Sequence, residues 1–271
     1  MRARVAVVQF PGVNCEAETV RALERVNLAP EVFCWTRPPA ELRDFEAYVL
    51  PGGFSWQDRV RGGALAAKDP MVQTLAEEAE GRGKPVLGIC NGAQVLVEAG
   101  LVPGGGGVEL ALARNRMPGR SGYYARWIHV RAELSPCLFT RTLPPGSVLP
   151  LPVAHGEGRF TARQRGRMAA LAGTGQVPLR YATAGGGDAS GFPENPNGSQ
   201  EDAAGVCNQA GTVLALMPHP ERALDLGQLA RSVPGEWAER RERACERGAA
   251  QDDAGPGLAI FEGLRLHLEE S

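Results

Sequence analysis

The stretch Pro85-Val86-Leu87-Gly88-Ile89-Cys90-Asn91-Gly92-Ala93-Gln94 decides how this chain folds. Its apolar first half reads as a buried strand, and the spacing of Ala93, Val95, Leu96 and Ala99 reads as a helix that begins at once. Between them Cys90 has to turn the chain in a single residue. A strand, a sharp turn and a helix, with glycines flanking the turn, is the arrangement that lifts a nucleophile above a sheet. Glycine lacks the Cβ that would collide there. A helix N-terminus favours an anion, and the thiolate is the reactive form of cysteine. Cys90 also reads as a small buried apolar side chain, so the turn needs partners before it means catalysis.

Working outward, Arg4–Phe10 reads as a strand followed by the turn Pro11–Asn14, and Glu16–Val26 as a helix with Val20, Leu23 and Val26 on one face. Glu31–Trp35 is a short strand, and the apolar run Phe45–Leu50 empties into Pro51-Gly52-Gly53-Phe54-Ser55. Residues 69–82 read as a helix, with Asp69 able to cap it and Pro70 suited to its first turn. This alternation predicts an α/β fold, a doubly wound, mostly parallel sheet flanked by helices, whose ligand sites lie at strand C-terminal ends. Beyond residue 107 the pattern becomes β-rich, with strands expected near 108–114, 123–131, 148–153, 179–183, 204–208 and 212–217. Gly191–Ser199 is a loop by composition. Residues 224–254 read as a charged surface insertion, helical around Trp237–Glu246, before a closing amphipathic helix from Leu258 to Leu268. We expect one domain over 1–271, and no internal repeat is visible.

With 271 residues, 43% of them hydrophobic, the chain can build one well-buried core. Twenty-nine basic against 31 acidic residues leave −2, which gives no support for nucleic-acid or membrane-surface binding. No apolar stretch approaches the roughly 20 residues that cross a bilayer. Met1-Arg2-Ala3-Arg4-Val5 leads into the first strand without a signal-peptide core. Six scattered cysteines with no C-x-x-C pair suggest neither a metal site nor a disulfide framework. The expected compartment is the cytosol.

Thiol catalysis needs a base, and the base needs a group that orients it. Of four histidines, His219 follows the apolar strand Val213–Met217 within Met217-Pro218-His219-Pro220-Glu221-Arg222. Pro220 holds the segment out of helix, so Glu221 can reach the far nitrogen of His219 and fix its tautomer. Gly52-Gly53, at another strand end, allows backbone N–H groups to approach a reacting carbonyl oxygen. The amide of Asn91 offers a second donor, completing an oxyanion hole. Separately these pieces also read as turns; together they point to acyl transfer through a thioester.

At these residues the chain resembles the triad (class I) glutamine amidotransferases, and among them the glutaminase components of phosphoribosylformylglycinamidine synthases. The elbow and the His-Pro-Glu end carry the broad likeness. The narrower one rests on Gln9-Phe10-Pro11-Gly12-Val13-Asn14-Cys15-Glu16, His155-Gly156-Glu157-Gly158 and Asn195-Pro196-Asn197-Gly198-Ser199. The resemblance implies a flavodoxin-like sheet, with Cys90 as nucleophile, His219 as base and later acid, and Glu221 as the orienting carboxylate. It implies oxyanion donors at Gly53 and Asn91, and contacts to L-glutamine from Gly52, Gln94 and Asn115. It further implies a large synthetase partner that holds the ATP and Mg²⁺, with no cofactor in this chain; whether a small third subunit bridges them is left open. The chain departs from the family where Trp56-Gln57-Asp58 replaces Tyr-Gly-Asp, and in the insertion after Glu221.

His155 reads two ways, as lining for an ammonia exit or as a loop histidine satisfying carbonyls. His129 reads as structural and His267 as a surface residue of the last helix. The glycine run 104–107 lacks the Lys-Ser/Thr of a phosphate-binding loop, and Arg163–Arg167 reads as a solvated loop or a partner-facing patch. Three rivals stand beside the glutaminase: one serving another synthase, a non-enzymatic metabolite-binding relative, and a cysteine hydrolase or chaperone with a similar elbow.

Overall fold

The computed structural model describes residues 2–271. Strands and helices alternate first: β1 (Arg4–Gln9), α1 (Glu16–Arg25), β2 (Ala29–Cys34), β3 (Ala47–Leu50), α2 (Pro70–Arg82), β4 (Val86–Ile89) and α3 (Asn91–Glu98). Then come β5 (Leu110–Ala113), β6 (Tyr124–Ala132), β7 (Val148–His155), β8 (Arg159–Ala162), α4 (Arg167–Gly173), β9 (Leu179–Ala182), β10 (Ala203–Cys207) and β11 (Val213–Leu216). The helices α5 (Glu236–Glu246) and α6 (Leu258–Glu270) close the chain. No helix among the described residues is long and apolar enough to cross a membrane.

Nine strands form one sheet in the order β2-β1-β3-β4-β11-β10-β9-β6-β7. The pairings from β2 to β11 are parallel, and those from β11 to β7 are antiparallel. Val5–Val8, Ala47–Leu50, Val86–Ile89 and Val213–Leu216 are buried throughout, because helices cover both faces of the parallel half. The strand order reverses between β1 and β3, and a crevice at their C-terminal ends is the expected result. In β6 buried and part-exposed residues alternate toward its end (Ile128, Val130 and Ala132 inside), as in a sheet with one wet face. β5 and β8 pair separately as a small antiparallel ribbon; β8 and α4 carry too short a pattern to stand out in the sequence.

Helix ends follow local chemistry. Asp69 accepts a hydrogen bond from Met71 N–H at 2.9 Å, Pro70 opens α2, and Gly83 closes it at φ +69°. The segment after Glu221 is closed at its base by a bridge between Asp225 and Ala254. It carries its own small core of Leu226, Leu229, Val233 and Ala244, packed with Trp127 and Trp237. Trp237 Nε1 donates to Val148 O at 2.9 Å, which fastens α5 to the β6–β7 edge.

Candidate active site

Cys90 stands at the end of β4, between β3 and β11. Its N–H donates to Leu216 O at 2.8 Å, extending the ladder by one residue. The chain then turns through φ 51°, ψ −103°, a conformation that costs about 1–3 kcal/mol for a residue with a side chain. Both flanking glycines are required by contact. A Cβ on Gly92 would lie 1.9 Å from Leu50 O, and one on Gly88 would lie 2.6 Å from Gly92 O. Cys90 precedes α3 but spends no side-chain bond on capping it. Its Sγ lies 3.8 Å from Ala154 O.

That carbonyl belongs to β7, the last strand of the sheet. Pro152 O, two residues earlier and on the same edge, accepts from the N–H of His219 at 2.9 Å. The antiparallel half therefore curls round until its free edge walls the ends of β4 and β11. Sequence reasoning missed this wall, since nothing in an edge strand's residues says where its carbonyls will point.

His219 Nδ1 and Glu221 Oε1 are 2.5 Å apart, with both side chains buried. Burial disfavours the charged imidazole, but Glu221, Cys90 and Cys15 together outweigh it and hold the His219 pKa well above its usual value. With Nδ1–H given to Glu221, Nε2 is the nitrogen left free, and it has no partner among the described residues. A Cβ on Gly52 would meet His219 Cε1 at 2.7 Å, so the Gly-Gly turn lies directly against the imidazole.

Asn91 opens α3, so its backbone N–H lies in the first turn, where the helix supplies no acceptor. Its side chain ties the neighbourhood together: Oδ1 accepts from Ser55 N–H at 2.9 Å, and Nδ2 donates to Gln94 Oε1 at 2.8 Å and Asp58 Oδ1 at 3.1 Å. Gln94 Nε2 donates in turn to Glu157 O at 2.7 Å. One amide hydrogen of Gln94 stays uncommitted at the elbow. Burial, and then the charge of Glu157, push Asp58 up to about 6. The unusual residues Trp56 and Gln57 sit left-handed beside it, at φ 53° and 58°, with Trp56 packed edge-on against Trp35.

Asn115, the expected substrate contact, has its side chain bonded within the protein. It is 3% exposed. Its Nδ2 donates to His155 O and Gly122 O, and its Oδ1 accepts from Gly158 N–H and His155 Nδ1. An asparagine side chain has two donors and two lone pairs, so all are consumed in fixing the end of β7. His155 is buried at that strand end. Burial, with a smaller push from His219, lowers its pKa to about 3, so it is neutral in ordinary buffers. Asn195, Asn197 and Ser199 bond mainly to one another and to Gly158 O, bracing the same segment from behind.

Cys15, to which the sequence assigned no chemistry, comes within this group. Arg222 Nη2 donates to Cys15 Sγ at 3.1 Å. One ligand atom each from Cys15, His219 and Glu221 lie within 4.8 Å of one another; the adjacent guanidinium places a fixed positive charge there, which opposes a divalent cation. A surface cleft of about 640 Å³ lined by Leu134, Pro136, Thr174 and Arg180 includes none of these residues. Chemistry rather than cavity size marks the site.

The family of CobB/CobQ-like glutamine amidotransferase domains matches residues 2–264. The phosphoribosylformylglycinamidine synthase subunit PurQ of Methanothrix thermoacetophila is 44% identical, over 98% of each chain. The same subunit of Thermus thermophilus is 44% identical over 82% of this chain and 90% of its own. Among solved structures, PurLQS from Thermotoga maritima contains a chain superposing with a TM-score of 0.72 at 31% identity, covering 99% of this chain and 100% of that one.

Proposed function

The chain belongs to the CobB/CobQ-like glutamine amidotransferase family, and on that footing we infer that it is the glutaminase subunit of a phosphoribosylformylglycinamidine synthase in purine biosynthesis. Its substrate is L-glutamine and its partner is the large synthetase subunit. We place ATP and Mg²⁺ on that partner, where the ammonia is consumed, and a small bridging subunit belongs to the same proposal. The cytosol is the compartment in which these reactants meet.

The observation that carries the chemistry is the buried His219–Glu221 pair, whose free Nε2 lies beside a cysteine at a strained strand end. His219 takes the thiol proton, and Cys90 Sγ adds to the side-chain carbonyl carbon of glutamine. The oxygen becomes an anion and accepts from the N–H groups of Gly53 and Asn91. His219 Nε2–H then protonates the nitrogen, the C–N bond breaks, and ammonia leaves a thioester on Cys90. Water, deprotonated by His219, attacks the thioester, frees glutamate and restores the thiol. Glu221 keeps its charge throughout and stabilises the imidazolium.

Glutamate release from glutamine, with and without the synthetase subunit, tests this reading in the wild type and in Cys90→Ala. We expect release that the partner stimulates and that disappears in the variant. Release that needs Cys90 but ignores this partner would keep the glutaminase and discard the purine assignment. No release under either condition would leave a metabolite-binding relative.

A further inference from the structure

We propose that the loop Phe10–Cys15 is a clamp that turns the Gly52–Gly53 peptide so that its N–H faces Cys90, with Gly12 as the positioning residue on which the clamp depends. The inference rests on the glutaminase reading. Gly52 O accepts from both Asn14 N–H and Cys15 N–H, at 3.3 Å each. A trans peptide holds its C=O and its following N–H in opposite directions. With the carbonyl drawn to the loop, the N–H of Gly53 points away from it. The residues on either side of this turn meet the start of α3: Ser55 N–H bonds to Asn91 Oδ1, and Gly92 packs on Leu50 O. Further bonds hold the turn in this attitude, from Phe54 N–H to Gly12 O at 2.9 Å and from Trp56 N–H to Pro11 O at 2.7 Å. Val13 and Gly53 form an antiparallel bridge.

The fit leaves no room for side chains. Gly12 has φ +92°, and a Cβ there would lie 2.1 Å from Phe54 O. Gly53 has φ +146°, and its Cβ would lie 2.6 Å from Val13 Cα. The Phe-Pro-Gly-Val-Asn-Cys motif, which the chemistry of the triad does not use, thus presets one of the two oxyanion donors.

Gly12→Ala in the full chain, with and without the synthetase subunit, tests the clamp through three quantities. Losing one oxyanion donor costs about 100-fold or more, so kcat/KM for glutamine should fall by at least that factor with KM little changed. Affinity for 5-oxopentanoate should fall in parallel. Its aldehyde carbon bonds to Cys90 Sγ, and the thiol proton ends on the oxygen that the donors hold. Alkylation of Cys90 by iodoacetamide, in which sulfur bonds carbon and iodide leaves without an oxyanion, should proceed at the wild-type rate. Gly81→Ala, outside the clamp and with nothing within 4 Å of its absent Cβ, should behave as wild type. If Gly12→Ala does not fold, Asn14→Pro removes one donor to Gly52 O and should show the same pattern at about a tenfold loss. Unchanged kcat/KM and aldehyde affinity would overturn the clamp, as would loss of all three quantities together. Because aldehyde binding and alkylation need no glutamine turnover, an inactive wild type would fail the functional reading without deciding this one.

Discussion

Two buried histidines within one site titrate in opposite directions, and each direction has its own structural cause. His219 has a carboxylate against Nδ1 and is pushed up; that contribution to stability is present below the unfolded pKa and is lost as pH rises through the folded one. His155 is pushed down to about 3 by burial and then by His219, with only the neutral Asn115 against Nδ1. The unfolded chain takes up a proton on His155 from roughly pH 6.5 downward, while the folded chain refuses it until about pH 3. Stability therefore falls with pH across that window. At pH 5 the deficit is about 2 kcal/mol, and His155→Gln should remove most of it. Urea midpoints at pH 5 and pH 7 measure this. Equal acid losses in wild type and variant would mean that other groups account for the decline.

At the scale of elements, the elbow works because α3 lies directly on the end of β3, and two glycines, Gly92 and Gly81, make opposite predictions. A Cβ at Gly92 strikes Leu50 O at 1.9 Å, so Gly92→Ala must push α3 away from the sheet and carry Cys90 with it. We expect destabilisation of about 1–3 kcal/mol and a loss of turnover on the order of 100-fold, the scale set by a displacement near 1 Å. Gly81, inside α2, has nothing within 4 Å of its absent Cβ. Gly81→Ala should stabilise by about 0.5–1 kcal/mol and leave turnover alone. Thermal melts with a glutaminase assay read both, and equal behaviour of the two variants would contradict the contact argument.

The whole molecule is a parallel half that presents Cys90 and His219 and an antiparallel half that curls back to wall them with the edge of β7. The segment after Glu221 lies outside that arrangement: its base is closed by Asp225 and Ala254, and it packs on β6–β7 through its own small core. Replacing 226–253 with a short glycine link should preserve the fold and Cys90-dependent turnover. It should lower the melting temperature by about 2–4 °C per kcal/mol of packing lost. An excised chain that folds but has no turnover would make the segment part of the site.

Most of the elements, β8 and α4 excepted, and the kind of chemistry at their ends were already written in the sequence. Short apolar runs ending in glycine and proline turns read as strands buried on both faces, Asp69-Pro70 starts a helix by satisfying a free N–H group, and Gly88, Gly92 and the His-Pro-Glu turn name the kind of chemistry. These are local choices, made among neighbouring residues. The tertiary structure decided the rest because it depends on residues far apart in the chain. It bonds the Asn115 side chain to His155 and Gly158. It brings the carbonyls of Pro152 and Ala154 to His219 and Cys90, and Cys15 to the His219 imidazole. Hydrogen-bonding capacity and edge direction are settled only when distant strands meet, and no spacing along the chain records that meeting.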